Sequence, residues 1–174
     1  MASMREIKRR RGSIQSTQQI TKAMKLVATV KLQRARASAE RSKDYFTCMY
    51  DTVSSILSRV GTLDHRYLQP GKSSKKAVIV ITSNRGLAGG YNSNIVKLVL
   101  NSDLPKEDVE IYAIGNKGLD AFTRKGFNIR YTDSELIESP SYSDAAALCR
   151  EVLKDYTNGE IGEIYLAYTH FKNT

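Results

Sequence analysis

The chain has 174 residues, 41% hydrophobic and 26% charged, with a formal net charge of +9. That length suits one domain plus an extension, and the composition is that of an ordinary soluble protein. Two cysteines are too few for a disulfide framework, and no stretch approaches the roughly 20 apolar residues of a membrane-spanning helix.

The first stretch, Ser3 to Leu63, has no proline, and no glycine between Gly12 and Gly61. It reads as one very long helix. Sixty residues at 1.5 Å each would span about 90 Å, against about 30–35 Å for a globular domain of this size, so the helix is expected to project. Ser3 followed by Glu6 fits a capping box, the hydroxyl accepting from the Glu6 amide and the Glu6 side chain reaching back. A seven-residue repeat follows: Met4, Ile7, Arg11, Ile14, Gln18, Thr21, Lys25, Ala28, Leu32, Ala35, Ala39, Ser42, Phe46, Met49, Val53, Ile56, Val60 and Leu63. The spacing alternates three and four, as a coiled-coil seam requires. From Phe46 onward every seam position is apolar. From Arg11 to Lys25 most are polar, and a second apolar strip, Ile20, Met24 and Val27, takes over on another face. No second helix of matching length exists in the remaining chain. The seam is therefore expected to be covered by another chain, by self-association, or by a part of the protein outside these residues.

The charge is uneven. Residues 1–60 hold 13 Lys/Arg and 4 Asp/Glu, which is +9, and residues 61–174 hold 14 of each, which is zero. The whole excess lies on the helix, densest at Lys8-Arg9-Arg10-Arg11. A basic helix suits nucleic acid, an anionic membrane surface or an acidic protein partner. Apolar residues interleave with the basic ones, and no aromatic residue precedes Tyr45 to stack on bases, which favours an acidic protein sleeve. Cys48 and Cys149 sit among apolar residues and are expected to be small buried hydrophobes in a reducing compartment. The charged N-terminus has no apolar signal-peptide core.

Residues 64–76, punctuated by Pro70-Gly71-Lys72-Ser73-Ser74, read as a linker. Residues 77–174 then alternate strand and helix. Ala77 to Thr82 is a continuous β-branched run, as in a strand buried on both faces. Asn92, Ser93 and Asn94 offer N-caps for a short helix over Ile95 to Leu100. Val109 to Ile114 is a second strand, Asn116 to Lys125 a helix, and Phe127 to Thr132 a third, more polar edge strand. A helix opens at Ser141 or Ser143 and runs to Tyr156, with Ala146, Cys149, Val152, Leu153 and Tyr156 inward, and Ile161 to Phe171 holds a fourth strand. The fold expected is α/β: a long coiled-coil helix over 1–63 and a small Rossmann-like, doubly wound parallel-sheet domain over 77–174, truncated at its C-terminus.

The glycine-rich turn Gly86-Leu87-Ala88-Gly89-Gly90 fits neither G-x-G-x-x-G nor a P-loop, and no acidic residue follows the second strand. It reads as a tight strand-to-helix turn. His65 and His170 have no cysteine or carboxylate at ligand spacing. No cofactor, metal or catalytic residue is expected.

Two blocks carry a family resemblance: Arg5-Glu6-Ile7-Lys8-Arg9-Arg10 with Gln19-Ile20-Thr21-Lys22-Ala23-Met24-Lys25-Leu26-Val27-Ala28, and Ser83-Asn84-Arg85-Gly86-Leu87-Ala88-Gly89-Gly90-Tyr91-Asn92. The chain resembles the γ subunit of bacterial F-type ATP synthases, with Asn84 and Ala88 where that family usually has Asp and Cys. The resemblance implies a non-catalytic central rotor shaft. It couples proton-driven rotation to conformational change in the catalytic α/β ring, at the cytoplasmic face of the plasma membrane. It also implies as partners the α and β subunits, the ε subunit and the c-ring, and a long C-terminal helix of its own, absent from these 174 residues, pairing antiparallel with the first. Arg9, Arg10, Ile20, Lys22, Met24, Lys25, Val27 and Lys31 would then face the ring, and Ile7, Ile14, Ala28, Leu32, Phe46, Met49, Val53, Ile56 and Val60 the coiled-coil seam. A chain lacking that helix is expected to self-associate through Phe46 to Val60 or to fray towards its N-terminus. The alternative is a nucleic-acid-binding α/β protein with a basic helical arm, whose affinity would fall steeply with salt.

Overall fold

In a computed structural model the chain is described over residues 3–60, 64–69 and 71–171. Leu63 of the seam and Pro70 of the turn lie outside the described residues. The chain forms two compact units, residues 1–63 and 64–174.

The first unit is a single helix, α1, Met4–Arg59, of 56 residues, roughly 84 Å long at 1.5 Å per residue. Its start departs from the capping box. Ser3 Oγ accepts from the Arg5 amide at 3.2 Å, and the Glu6 carboxylate accepts from Arg10 at 2.8 Å instead of turning back. A charge-assisted bond one turn on outcompetes a neutral amide. No residue of α1 is buried.

The second unit is a four-stranded, all-parallel sheet in the order β3-β2-β1-β4, with strands β1 Lys76–Ile81, β2 Val109–Ile114, β3 Asn128–Asp133 and β4 Glu163–Ala167. Helices α2 (Tyr91–Leu100) and α3 (Asn116–Arg124) join the strands that step outwards to β3, and α4 (Tyr142–Thr157) joins β3 back to β4. Parallel crossovers share one hand, so reversing direction along the sheet puts α4 on the opposite face. Strand alternation fills both faces. Val78, Val80, Val109, Ile111 and Ala113 pack with Ile95, Val96, Val99 and Phe122 from α2 and α3. Ala77, Tyr112 and Ile114 pack with Leu148 and Val152 from α4 and with Ile161. This is the doubly wound, Rossmann-like arrangement expected.

Three local expectations are corrected. Helix α2 starts at Tyr91 behind Gly90, not at an Asn/Ser cap, because Asn92 is spent elsewhere: its Oδ1 accepts from the Ser83 amide at 2.9 Å. Cys149 is exposed, and Leu148 takes the inward position of α4 with Val152, four residues on, since the next residue lies 100° round the helix. Cys48 is likewise exposed, because α1 buries nothing within its own unit.

Candidate partner-binding surface

Every residue named for partner contact lies on α1 and is exposed. At 100° per residue, Ile20, Met24 and Val27 fall on one face, joined by Lys31. Lys25 projects on the seam side with Ile7, Ile14 and Leu32, and Lys22 lies beyond it. Met24 is 68% exposed and Phe46 60%. The seam continues through Ala28, Met49, Val53, Ile56 and Val60. Of the two cations near the start that are named for partner contact, Arg10 is paired with Glu6, and Arg9 lies one position round from it.

The polar groups of α1 are largely satisfied by the helix itself. Thr17, Thr21, Thr29 and Thr52 each donate to the carbonyl four residues back, at 2.7–3.0 Å. Arg36 pairs with Glu40 at 2.8 Å. What α1 offers a partner is therefore apolar surface flanked by cations. Leu26, Tyr45, Tyr50 and Leu57 are also exposed and extend the apolar surface beyond the strict repeat. Their signal was their size at non-seam positions.

The residues that follow β1, ahead of the glycine-rich turn, cap α3. Asn84 Oδ1 accepts from the Asn116 amide at 3.1 Å, the Ser83 carbonyl from the Lys117 amide at 3.0 Å, and Thr82 Oγ1 from the Gly118 amide at 2.8 Å. These are the first amides of α3, whereas the glycine-rich turn leads into α2, where the Tyr91 amide donates to the Ala88 carbonyl at 3.2 Å. Gly115, between β2 and α3, stands at φ +97, and a Cβ there would lie 2.2 Å from the Thr82 carbonyl oxygen, so that turn requires glycine. Among the described residues no three His, Cys, Asp or Glu side chains gather as metal ligands, and no helix is long and apolar enough to cross a membrane.

One polar cluster locks the sheet to α4. Asp155 accepts from Tyr112 Oη at 2.5 Å and from Arg130 at 3.0 and 3.2 Å, and Arg130 also pairs with Glu160. Burial pushes the Asp155 carboxyl up, but the bonds from Arg130 and Tyr112 outweigh it and hold the group below its usual value. Burial, reinforced by the bond to Asp155, raises the Tyr112 phenol. This cluster fixes the fold and presents no reactive group.

A sequence model of the family described as ATP synthase matches residues 3–174. The chain belongs to the ATP synthase γ-chain family. It is 60% identical over 174 residues to the ATP synthase gamma chain of Lachnoclostridium phytofermentans, covering all of this chain and 60% of that protein. The gamma chain of Alkaliphilus metalliredigens is 40% identical over 171 residues, covering 98% of this chain and 59% of its own length. A gamma chain of Acetobacterium woodii described as sodium ion specific is 36% identical over 172 residues, covering 99% and 57%. The chain thus spans about three fifths of the length of these curated relatives.

Proposed function

We propose that this chain is the shaft-bearing part of a central rotor in an F-type ATP synthase. It would turn inside a ring of α and β subunits and couple proton flow to conformational change at their catalytic sites, without catalysing a reaction itself. The observation that carries the reading is a 56-residue helix with no buried residue, in a chain of the γ family. Such a helix is stable in a protein only when its apolar stripe is covered. The relatives have about two fifths of their length outside the matched stretch, and a long helix from that share is the proposed antiparallel cover for Ile7, Ile14, Ala28, Leu32, Phe46, Met49, Val53, Ile56 and Val60.

The face of Ile20, Met24, Val27 and Lys31, with Arg9 and Arg10 nearer the start of the helix, would meet acidic loops of the α/β ring, and Lys25 on the seam side and Lys22 beyond it would meet other loops of that ring. Exposed ion pairs contribute only about 0–1 kcal/mol each, so such contacts break and re-form as the shaft turns. The α/β unit would sit with the ε subunit and the c-ring, peripheral at the cytoplasmic face of the plasma membrane.

The exposed thiol of Cys149 allows a direct test. In a Cys48→Ser background, a fluorophore on Cys149 is followed in single assembled complexes during ATP hydrolysis. The expected result is stepwise reorientation. A label that stays fixed while hydrolysis continues would sink the rotor reading.

A further inference from the structure

The segment between α1 and β1 has the turn residues of a slack linker, yet its described residues are fastened to the α/β unit at two levels. At the first, Tyr156 of α4 donates its phenol proton to the Gln69 carbonyl at 2.6 Å, and its ring lies 6.3 Å from that of Tyr67. Tyr67 meets His65 edge-on at 5.2 Å and has the Arg66 guanidinium 5.1 Å from its ring centre. Gln69 Nε2 donates to Asp64 Oδ1 at 2.6 Å and the Leu68 amide to the His65 carbonyl at 2.9 Å, so residues 64–69 close on themselves as a turn. At the second level, Ser73 Oγ donates to the Glu160 carbonyl at 3.0 Å and the Gly162 amide to the Lys75 carbonyl at 2.8 Å. A Cβ at Gly162 would lie 2.0 Å from the Ser73 carbonyl oxygen, so the two backbones approach as closely as only glycine permits.

The second level continues the β1–β4 pairing and belongs to the sheet. The first does not. Tyr67 and Tyr156 stand outside both core clusters, and neither completes a strand pair. Exposed turns of this length are ordinarily mobile. This one is held by a directional hydrogen bond that resists sliding and by ring contacts that resist lateral displacement. Only four residues separate it from Arg59, where α1 ends.

We propose that Tyr156 and Tyr67 are a positioning clamp. They make residues 64–69 a mechanical part of the α/β unit, so that the stretch nearest the shaft moves with the sheet instead of as a slack linker. This role rests on the rotor reading above. The clamp acts through the joint and touches no reacting group.

The test uses Tyr156→Phe, which keeps the ring and removes the donor, and Tyr67→Ala, which removes the ring contacts. Tyr142→Phe, a phenol 90% exposed on the same helix, is the control. Two quantities are read: hydrogen exchange over residues 65–69 of the purified chain, and protons pumped per ATP hydrolysed by the assembled enzyme carrying the substitution. The expected result is exchange faster by about fivefold in Tyr156→Phe, the scale of one net hydrogen bond, and by more in Tyr67→Ala. The pumping ratio should fall in the same order at unchanged thermal stability, with the control unaltered in both. Unchanged exchange would overturn the clamp. Faster exchange with an undiminished pumping ratio would overturn its mechanical role. A wild-type chain that failed to enter the complex would overturn the rotor reading and this role with it, whatever the exchange rates.

Discussion

Phe122 is fully buried between α3 and the sheet, whereas no side chain in the 56 residues of α1 is buried. The α/β unit spends its apolar residues on itself: alternate positions of β1 and β2 face opposite helices, and both faces close. The helix presents a comparable set of residues, Ile20, Met24, Phe46, Met49, Val53 and Ile56, to the outside. One unit buries its apolar residues within itself, and the other leaves them exposed. Substitutions in the two should therefore behave differently.

The largest effect is expected from Phe122→Ala. Emptying a site of that size costs about 3–5 kcal/mol, enough to unfold most of a small domain, and chemical denaturation followed by tyrosine fluorescence would measure it. A change below about 1 kcal/mol would contradict the packing described. Next comes Asp155→Asn, which leaves Tyr112 without its charged acceptor and Arg130 with Glu160 alone, and should cost about 1–3 kcal/mol at neutral pH. Its pH dependence has a definite sign. The folded carboxyl titrates below its unfolded value of about 3.9, so the contribution is complete above that pH and is lost as pH falls through the folded value. Wild type should therefore lose its advantage over Asp155→Asn on acidification, and a constant difference between pH 7 and pH 2 would refute the assignment.

The double substitution Val53→Ala and Ile56→Ala sharpens the contrast. In the unfolding transition of the α/β unit, followed in the whole chain, it should register less than about 0.5 kcal/mol, the range of ordinary surface changes. In sedimentation of the chain, and in assembly with partner subunits, it should weaken association severalfold. A loss of several kcal/mol in the transition with no change in association would erase the distinction between the units. The smallest effect belongs to Lys25→Ala, at about 0–1 kcal/mol in ring binding and diminishing with added salt.

The two edges of the sheet repeat the contrast on a smaller scale. On β3 the outward positions are Asn128, Arg130 and Thr132, and its pairing with β2 shifts register between Ile111 and Tyr112. These are the polar residues and irregularity that discourage strand addition. On β4, Ile164, Tyr165 and Leu166 are all exposed. The sequence marks that run as part of a fourth strand, but composition reports how apolar a strand is and not whether a neighbour covers it. The same gap explains Cys149. Its apolar surroundings suggested burial, but the phase of α4 is set by Leu148 and Val152 meeting the sheet.

Much of this protein could be read from its residues alone. Fifty-odd residues free of proline and almost free of glycine specify a long helix, because backbone hydrogen bonding there is local. The β-branched runs at Ala77–Thr82 and Val109–Ile114, spaced by helix-length segments, specify parallel strands. The surface position of Arg9, Lys22, Met24 and Lys31 follows from a helix that buries nothing within its own unit. The polar character of Phe127–Thr132 already marked β3 as an edge, but tertiary structure alone decided that β4 is the other edge, and that Thr82, Ser83 and Asn84 would occupy the first amides of α3. It alone pinned the segment before β1 to Tyr156. Each of these joins groups far apart in sequence, such as Asn84 with Asn116 and Gln69 with Tyr156. Local propensity carries no information about such pairs. They are fixed only when the packed sheet brings the ends of its elements within hydrogen-bonding distance.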